Sequence, residues 1–227
     1  SYLMLNQYKE AVEAYRQALK RQPTSAGFHL NIGKAYRGLK LYEKSEEAIK
    51  KSISNQPNDI WGHIELGRTY IQWEHYEDAE RTFKELIKNN PNETQGYIEL
   101  GRTYLAWNRY NDADKTFEEL IKIAPNDASI FASIAGAYNQ YKKYEKSVEM
   151  MEHAIGFNPD DYRVYIIMGA ALHNLDRDEE AVKIYEKAIS LNPNDIGAYI
   201  GIGATYRNIG LYDKSIELYK RGLAIEP

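Results

Sequence analysis

Apolar and small residues recur at helical spacing in two short segments that together span 30 positions of the chain. Residues 60–73 place Leu66 and Tyr70 on one face of a helix, and residues 75–89 do the same with Phe83. A proline then ends the second segment, because proline has no N–H and disfavours helix in the residue before it. The pattern predicts two helices joined by a short turn.

The same pattern returns every 34 residues along the whole chain. The heptapeptide IELGRTY stands at 64–70 and again at 98–104. All seven prolines lie on this period: Pro23, Pro57, Pro91, Pro125, Pro159, Pro193 and Pro227. An unbroken period of this length predicts stacked repeats of one helical hairpin.

We number each repeat so that proline is position 32. The chain then divides into a partial repeat, 1–25, and the repeats 26–59, 60–93, 94–127, 128–161, 162–195 and 196–227. An acidic or amide residue soon follows most of the prolines and is predicted to cap the next first helix. We therefore expect helices throughout, no strands, and a turn at each proline.

Two small residues in each repeat allow its helices to pack closely. In the repeat 60–93, position 8 is Gly67 and position 20 is Ala79. In the repeat 94–127, the same positions are Gly101 and Ala113. With these residues, the motifs LGRTY, AERTF and the final proline make the chain resemble the tetratricopeptide repeat family from end to end. The resemblance implies an all-α fold of one domain, 1–227, in which antiparallel helix hairpins form a right-handed superhelical solenoid. It also implies a protein–protein interaction scaffold whose concave face, lined by the first helices, binds a peptide.

Charge, hydrophobicity and cysteine content indicate which partners and which cellular compartment fit the chain. The net charge of −4 argues against nucleic acid as the main partner. The longest apolar run, residues 164–172, is too short to insert across a membrane. The absence of cysteine favours a reducing compartment, and we expect a cytoplasmic protein.

No catalytic or metal-ligating constellation is visible in the sequence. His29 and His63 share one repeat position, but no further ligands accompany them. No nucleophile stands with a base and an orienting group in a recognisable pattern. We expect neither enzymatic activity nor a cofactor.

The resemblance places candidate peptide-binding residues at fixed positions of each first helix. They are Asn31, Lys34, Arg37, Trp61, Ile64, Glu65, Arg68, Ile98, Glu99, Arg102, Asn139, Arg163, Ile166, His173 and Arg207. The concave positions together carry six cationic and two anionic side chains, which gives the groove a net charge of +4 on an otherwise acidic chain. Such a groove favours an anionic ligand. The other interpretation is that Arg68 and Arg102 pair with glutamates three residues earlier in their helices.

The predicted ligand is a peptide with acidic side chains or a free C-terminal carboxylate, held by Arg68 and Arg102, with an aliphatic residue against Ile64 and Ile98. The other half of the groove, with Ala170, Ala204 and side-chain amides, is predicted to bind backbone or small side chains.

Two other functions fit the same sequence. One is the substrate-recruiting segment of a larger enzyme, such as a glycosyltransferase or a peptidase. The sequence also suits a structural scaffold that self-associates through uncapped ends, because Ile216, Leu223 and Ile225 of the last predicted helix have no following repeat to cover them.

Overall fold

The computed structural model describes residues 7–225, and every regular element within them is an α-helix. The helices are α1 Tyr8–Arg21, α2 Ala26–Gly38, α3 Tyr42–Asn55, α4 Ile60–Gln72, α5 Tyr76–Asn89, α6 Thr94–Ala106, α7 Tyr110–Ile123, α8 Ala128–Gln140, α9 Tyr144–Phe157, α10 Tyr162–Asn174, α11 Asp178–Leu191, α12 Ile196–Asn208 and α13 Tyr212–Ile225. The predicted all-α fold is confirmed, and the helix bounds agree with the sequence pattern to within about two residues.

The chain divides into two compact units, Ser1–Phe117 and Glu118–Pro227, which we call unit 1 and unit 2. The boundary falls inside α7. Within each unit, the first helix of a repeat packs on the second, as α4 does on α5 and α10 on α11. The second helix then packs on the first helix of the next repeat, as α5 does on α6 and α11 on α12.

The turns between repeats provide the N-caps that the sequence predicts. The carboxylate of Asp59 accepts a hydrogen bond from the backbone N–H of Trp61, and Asp195 accepts one from Gly197. The described prolines lie in or next to these turns, whereas Pro227 lies outside the described residues. Each first helix therefore begins at a fixed place in its repeat.

Position 4 of three repeats ties the first helix to the turn before it. The phenol of Tyr165 donates a hydrogen bond of 2.9 Å to the carbonyl oxygen of Pro159. The hydroxyls of Tyr97 and Tyr199 do the same to Pro91 and Pro193 in their repeats. This contact explains why these three repeats carry tyrosine at position 4.

Glycine at position 8 allows the two helices of a hairpin to approach each other. A Cβ on Gly67 would overlap the ring of Phe83, which is fully buried, and Gly101 stands in the same relation to Phe117. The cost of glycine inside a helix is therefore offset by ring packing. Among the described helices, none has the length and apolar character needed to cross a membrane.

Candidate functional site

The first helices lie side by side within each unit: α2, α4 and α6 in unit 1, and α8, α10 and α12 in unit 2. We call the side of these helices that carries repeat positions 5, 6, 9 and 12 the first-helix face. Positions 5, 9 and 12 share a helical face, and position 6 lies one turn before position 9. Most of the predicted binding residues occupy these positions.

In unit 1, the first-helix face carries a chain of ion pairs between neighbouring repeats. Glu65 is buried and accepts a hydrogen bond of 2.5 Å from Nη2 of Arg37, in the preceding repeat. Its other carboxylate oxygen accepts a bond of 3.0 Å from Nη1 of Arg68, in the same helix. Burial raises the pKa of the Glu65 carboxyl, but Arg37 and the other nearby cations outweigh burial and hold the pKa below its usual value.

Glu99 continues the chain into the next repeat. Its Oε1 atom accepts hydrogen bonds from Nε and Nη2 of Arg68 at 3.2 and 2.5 Å, and from Nη1 of Arg102 at 3.1 Å. The amide of Gln95 donates a further bond of 2.9 Å to the same atom. Burial lowers the pKa of Arg68, but its bonds to the two glutamates raise the pKa above the usual value. We call Arg37, Glu65, Arg68, Glu99 and Arg102 the ion ladder.

The ladder forms the pairs three residues apart that the sequence suggested, and it adds pairs between repeats. Arg68 joins two glutamates, so most of its charge is already neutralised within the chain. The ladder holds three guanidinium groups against two carboxylates. Its surplus is a single cation, and the other three positive charges of the groove counted from the sequence belong to Lys34, Arg163 and Arg207.

The surplus lies at Arg102. Only Nη1 of this guanidinium is hydrogen-bonded, while Nε is buried with no partner among the described residues. The side chain of Arg102 is 27% exposed. At the other end of the face, Lys34 is partly exposed and close enough to lower the pKa of Glu65, and it forms no ion pair within the described part of the chain.

Ile64 and Ile98, which the sequence predicted to contact a ligand, present almost no accessible surface in this structure. Ile64 is fully buried and Ile98 is 3% exposed, so both side chains belong to the core of unit 1. Asn31 is partly exposed on α2, and Trp61 is 50% exposed at the start of α4. Trp61 therefore presents a large accessible apolar group in the described part of unit 1.

The face of unit 2 differs in chemistry. Asn139 and Ile166 are partly exposed, and Arg207 is exposed with no ion pair in the described residues. Arg163 is exposed and is bonded to Asp161 at 2.7 Å, which raises the pKa of its guanidinium. Among the described residues, Arg163 and Arg207 therefore form no ion pair between repeats.

His173 belongs to a polar cluster that the sequence did not predict. Its Nδ1 lies 2.7 Å from Oδ1 of Asp178, whose other oxygen accepts a bond of 2.9 Å from the Asn208 amide. Asp178 is buried and takes the place that tyrosine holds in the other repeats. That break in the tyrosine pattern was the visible signal, but its partners come from α10 and α12 and only the fold brings them together.

The described residues contain no group of three or more histidine, aspartate or glutamate side chains that could hold a metal ion. At the end of unit 2, Ile216 and Leu223 are 51% and 66% exposed, whereas Ile225 is partly buried. The predicted association through this surface stays a prediction.

Comparisons with known proteins agree on the repeat. Family models described as TPR repeat or tetratricopeptide repeat match residues 1–39, 26–59, 71–137, 128–161, 162–195 and 184–217. A search of curated proteins found no match.

Among solved structures, a crystal structure of MamA is 25% identical, with 71% of this chain and 94% of that chain covered and a TM-score of 0.54. YrrB, described as a TPR protein with an unusual peptide-binding site, is 18% identical, with 80% and 94% covered and a TM-score of 0.52. A tetratricopeptide repeat protein from Parabacteroides merdae ATCC 43184 is 14% identical, with 100% and 90% covered and a TM-score of 0.63. At these last two identities the likeness shows the fold alone.

Proposed function

Since the chain belongs to the tetratricopeptide repeat family, we propose that it is a protein-interaction scaffold that binds an extended peptide of a partner protein on its first-helix face. The peptide carries a carboxylate, from an acidic side chain or from its C-terminus. That carboxylate binds at Arg102.

The unpaired donors of Arg102 carry this proposal. Arg68 has two glutamate partners, whereas Arg102 has one and keeps Nε and Nη2 free of hydrogen bonds among the described residues. A buried N–H without an acceptor is costly. Because Nε is buried, the carboxylate accepts the free Nη2–H, in the plane of the guanidinium.

Lys34 and Trp61 extend the site along unit 1. Lys34 supplies a second cation without an ion pair in the described residues, and Trp61 supplies an exposed apolar surface. Arg68 contributes mainly by holding Glu99, so its removal disturbs the ladder as well as the site. Arg102 is therefore the sharper position to test.

The test uses peptides selected on the full chain from a random library of short sequences with free C-termini. Arg102→Ala should weaken a selected acidic peptide by on the order of tenfold, since one charged hydrogen-bonded pair is worth about 1.5–3 kcal/mol when shielded from water. Amidation of a C-terminal carboxylate, or Glu→Gln in the peptide, should give the same loss. Binding should also weaken as salt rises.

Arg81→Ala is the matched control, because Arg81 is an exposed arginine of α5 that pairs with Asp78, away from the first-helix face. It should leave affinity unchanged. Equal affinity of wild type and Arg102→Ala for every acidic peptide would remove the basis of the proposal.

A further inference from the structure

At positions 6 and 9, the first-helix face changes from mostly long and charged residues in unit 1 to small or apolar residues in unit 2, while position 12 of unit 2 keeps His173 and Arg207. In unit 1, position 9 carries Lys34, Arg68 and Arg102. In unit 2 the same position carries Gly136, Ala170 and Ala204. Position 6 changes likewise, from Asn31, Glu65 and Glu99 to Ser133, Ile167 and Gly201.

Position 5 differs in accessibility from repeat to repeat, and Leu30 of unit 1 is partly exposed although Asn31 and Lys34 occupy positions 6 and 9 of its repeat. Ile64 and Ile98 of unit 1 are buried, whereas Ile166 is partly exposed and Ile200 is 52% exposed. Ile167, at position 6, is also partly exposed. Unit 2 therefore presents an accessible aliphatic surface on the side where unit 1 presents the ion ladder.

Gly136 has no structural reason to be glycine. A Cβ at this position would meet no atom within 4 Å, unlike one at Gly201, which would overlap the ring of Tyr185. Gly136 lies in the middle of α8 with no positive φ, where alanine would favour the helix. A glycine that neither packing nor backbone conformation requires is suited to the close approach of a ligand backbone.

Asn139 lies one helical turn after Gly136, on the same face. Its Oδ1 atom is buried and accepts no hydrogen bond from any described residue. The equivalent residue in unit 1, Arg37, reaches Glu65 at position 6 of the next repeat, whereas position 6 of the repeat after Asn139 is the apolar Ile167. Asn139 is partly exposed, so rotation about its last side-chain torsion brings Oδ1 to the surface.

From these observations we infer that the first-helix face of unit 2 binds an uncharged, aliphatic stretch of extended peptide. The peptide backbone lies over Gly136 and donates an N–H to Oδ1 of Asn139, and its aliphatic side chains contact Ile166 and Ile200. The inference rests on the proposed function and names the class of peptide that unit 2 takes. Positions 5, 6 and 9 of this unit carry no charge, which favours a neutral partner.

The test uses peptides selected from the same library on the full chain, then synthesised with acetylated and amidated ends so that no terminal charge remains. Peptides without acidic residues should be recovered and should be rich in aliphatic residues. Gly136→Leu should weaken them by about tenfold or more while raising the thermal midpoint, since leucine favours the helix and fills open space. A residue with a purely structural role would not combine higher stability with lost binding.

Gly156→Leu is the matched control, because Gly156 lies in α9, is exposed, and likewise has no atom within 4 Å of the place where a Cβ would stand. It should leave affinity unchanged. Asn139→Leu and Ile200→Asp should each weaken the neutral peptides severalfold, and Arg102→Ala should not affect them.

Unchanged affinity in Gly136→Leu would overturn the inference. If acidic peptides bind through Arg102 and no neutral peptide is recovered, the inference fails and the proposed function stands. If no peptide of either class is enriched over a control surface that carries no protein, the proposed function and the inference both fail. If light scattering shows that the wild type self-associates and that Gly136→Leu abolishes this, the occupant is a second copy of the chain and the peptide assignment is wrong.

Discussion

Glu99→Gln tests whether the ion ladder stabilises unit 1. The wild-type carboxylate is 2% exposed and receives four hydrogen bonds on one oxygen, three of them from guanidinium groups. Breaking a fully buried ion pair costs about 3–5 kcal/mol. The side chains of Arg68 and Arg102 are 32% and 27% exposed, so water compensates for part of the loss. We expect a loss of about 2–3 kcal/mol in the free energy of unfolding.

Urea unfolding measures this loss, followed by helical circular dichroism and by tryptophan fluorescence. All three tryptophans, Trp61, Trp73 and Trp107, lie in unit 1, so the fluorescence reports the unit that holds the ladder. Glu47→Gln is the control, because Glu47 is exposed and pairs only with Lys51 among the described residues. A urea midpoint for Glu99→Gln equal to that of the control would refute the argument that the ladder is stabilising.

The ladder also predicts how stability depends on pH. The pKa of Glu65 is lower in the folded protein than in the unfolded chain. Its contribution is therefore present above the unfolded pKa, about 4.3, and is lost as pH falls through the lower folded pKa. Glu65→Gln should lessen the loss of stability between about pH 5 and pH 3 in the same urea assay. An acid profile identical to wild type would contradict the assignment.

Two further predictions concern packing and alkaline pH. Gly67→Ala should lower the free energy of unfolding by about 1–3 kcal/mol, because the new methyl meets the buried ring of Phe83, whereas Gly136→Ala should raise it by about 0.5–1 kcal/mol in the same urea assay. Equal effects of the two alanines would show that ring packing does not explain Gly67. Burial raises the pKa of Tyr185 to about 12. Its neutral form therefore contributes stability below the unfolded pKa of about 10, and this is lost as pH rises toward the folded value. Tyr185→Phe should accordingly lose about 1 kcal/mol less than wild type between about pH 9 and pH 11, in parallel urea titrations.

The candidate site shows where prediction from sequence stops. Glu65, Arg68, Glu99 and Arg102 were assigned to the correct face, because repeat position alone determines which side of a helix a residue occupies. Their pairing between repeats was not predicted. It depends on how far one first helix lies from the next, and the same distance decides whether Arg68 is open to a ligand or joined to two glutamates.

Ile64 and Ile98 illustrate the same limit for apolar residues. They share repeat position 5 with Ile166 and Ile200, and the sequence analysis predicted that Ile64, Ile98 and Ile166 contact a ligand. The structure buries the first two and leaves Ile200 52% exposed on α12, which packs against only one other first helix among those described, α10. Whether a side chain is buried depends on the residues that surround it, and most of these residues lie in other repeats.

The sequence by itself determined the repeat, its helix bounds, its caps and its turns, because each depends on contacts within about 34 residues. Only the tertiary structure decided which charges are neutralised and which polar atoms lack a partner among the described residues. Arg102 and Asn139 keep unpaired atoms because of what the adjacent helices place beside them. Repeats of similar sequence fold to nearly the same backbone. Whether their side chains pair depends on distances of a few ångströms between one repeat and the next, and these distances are set by how the repeats pack.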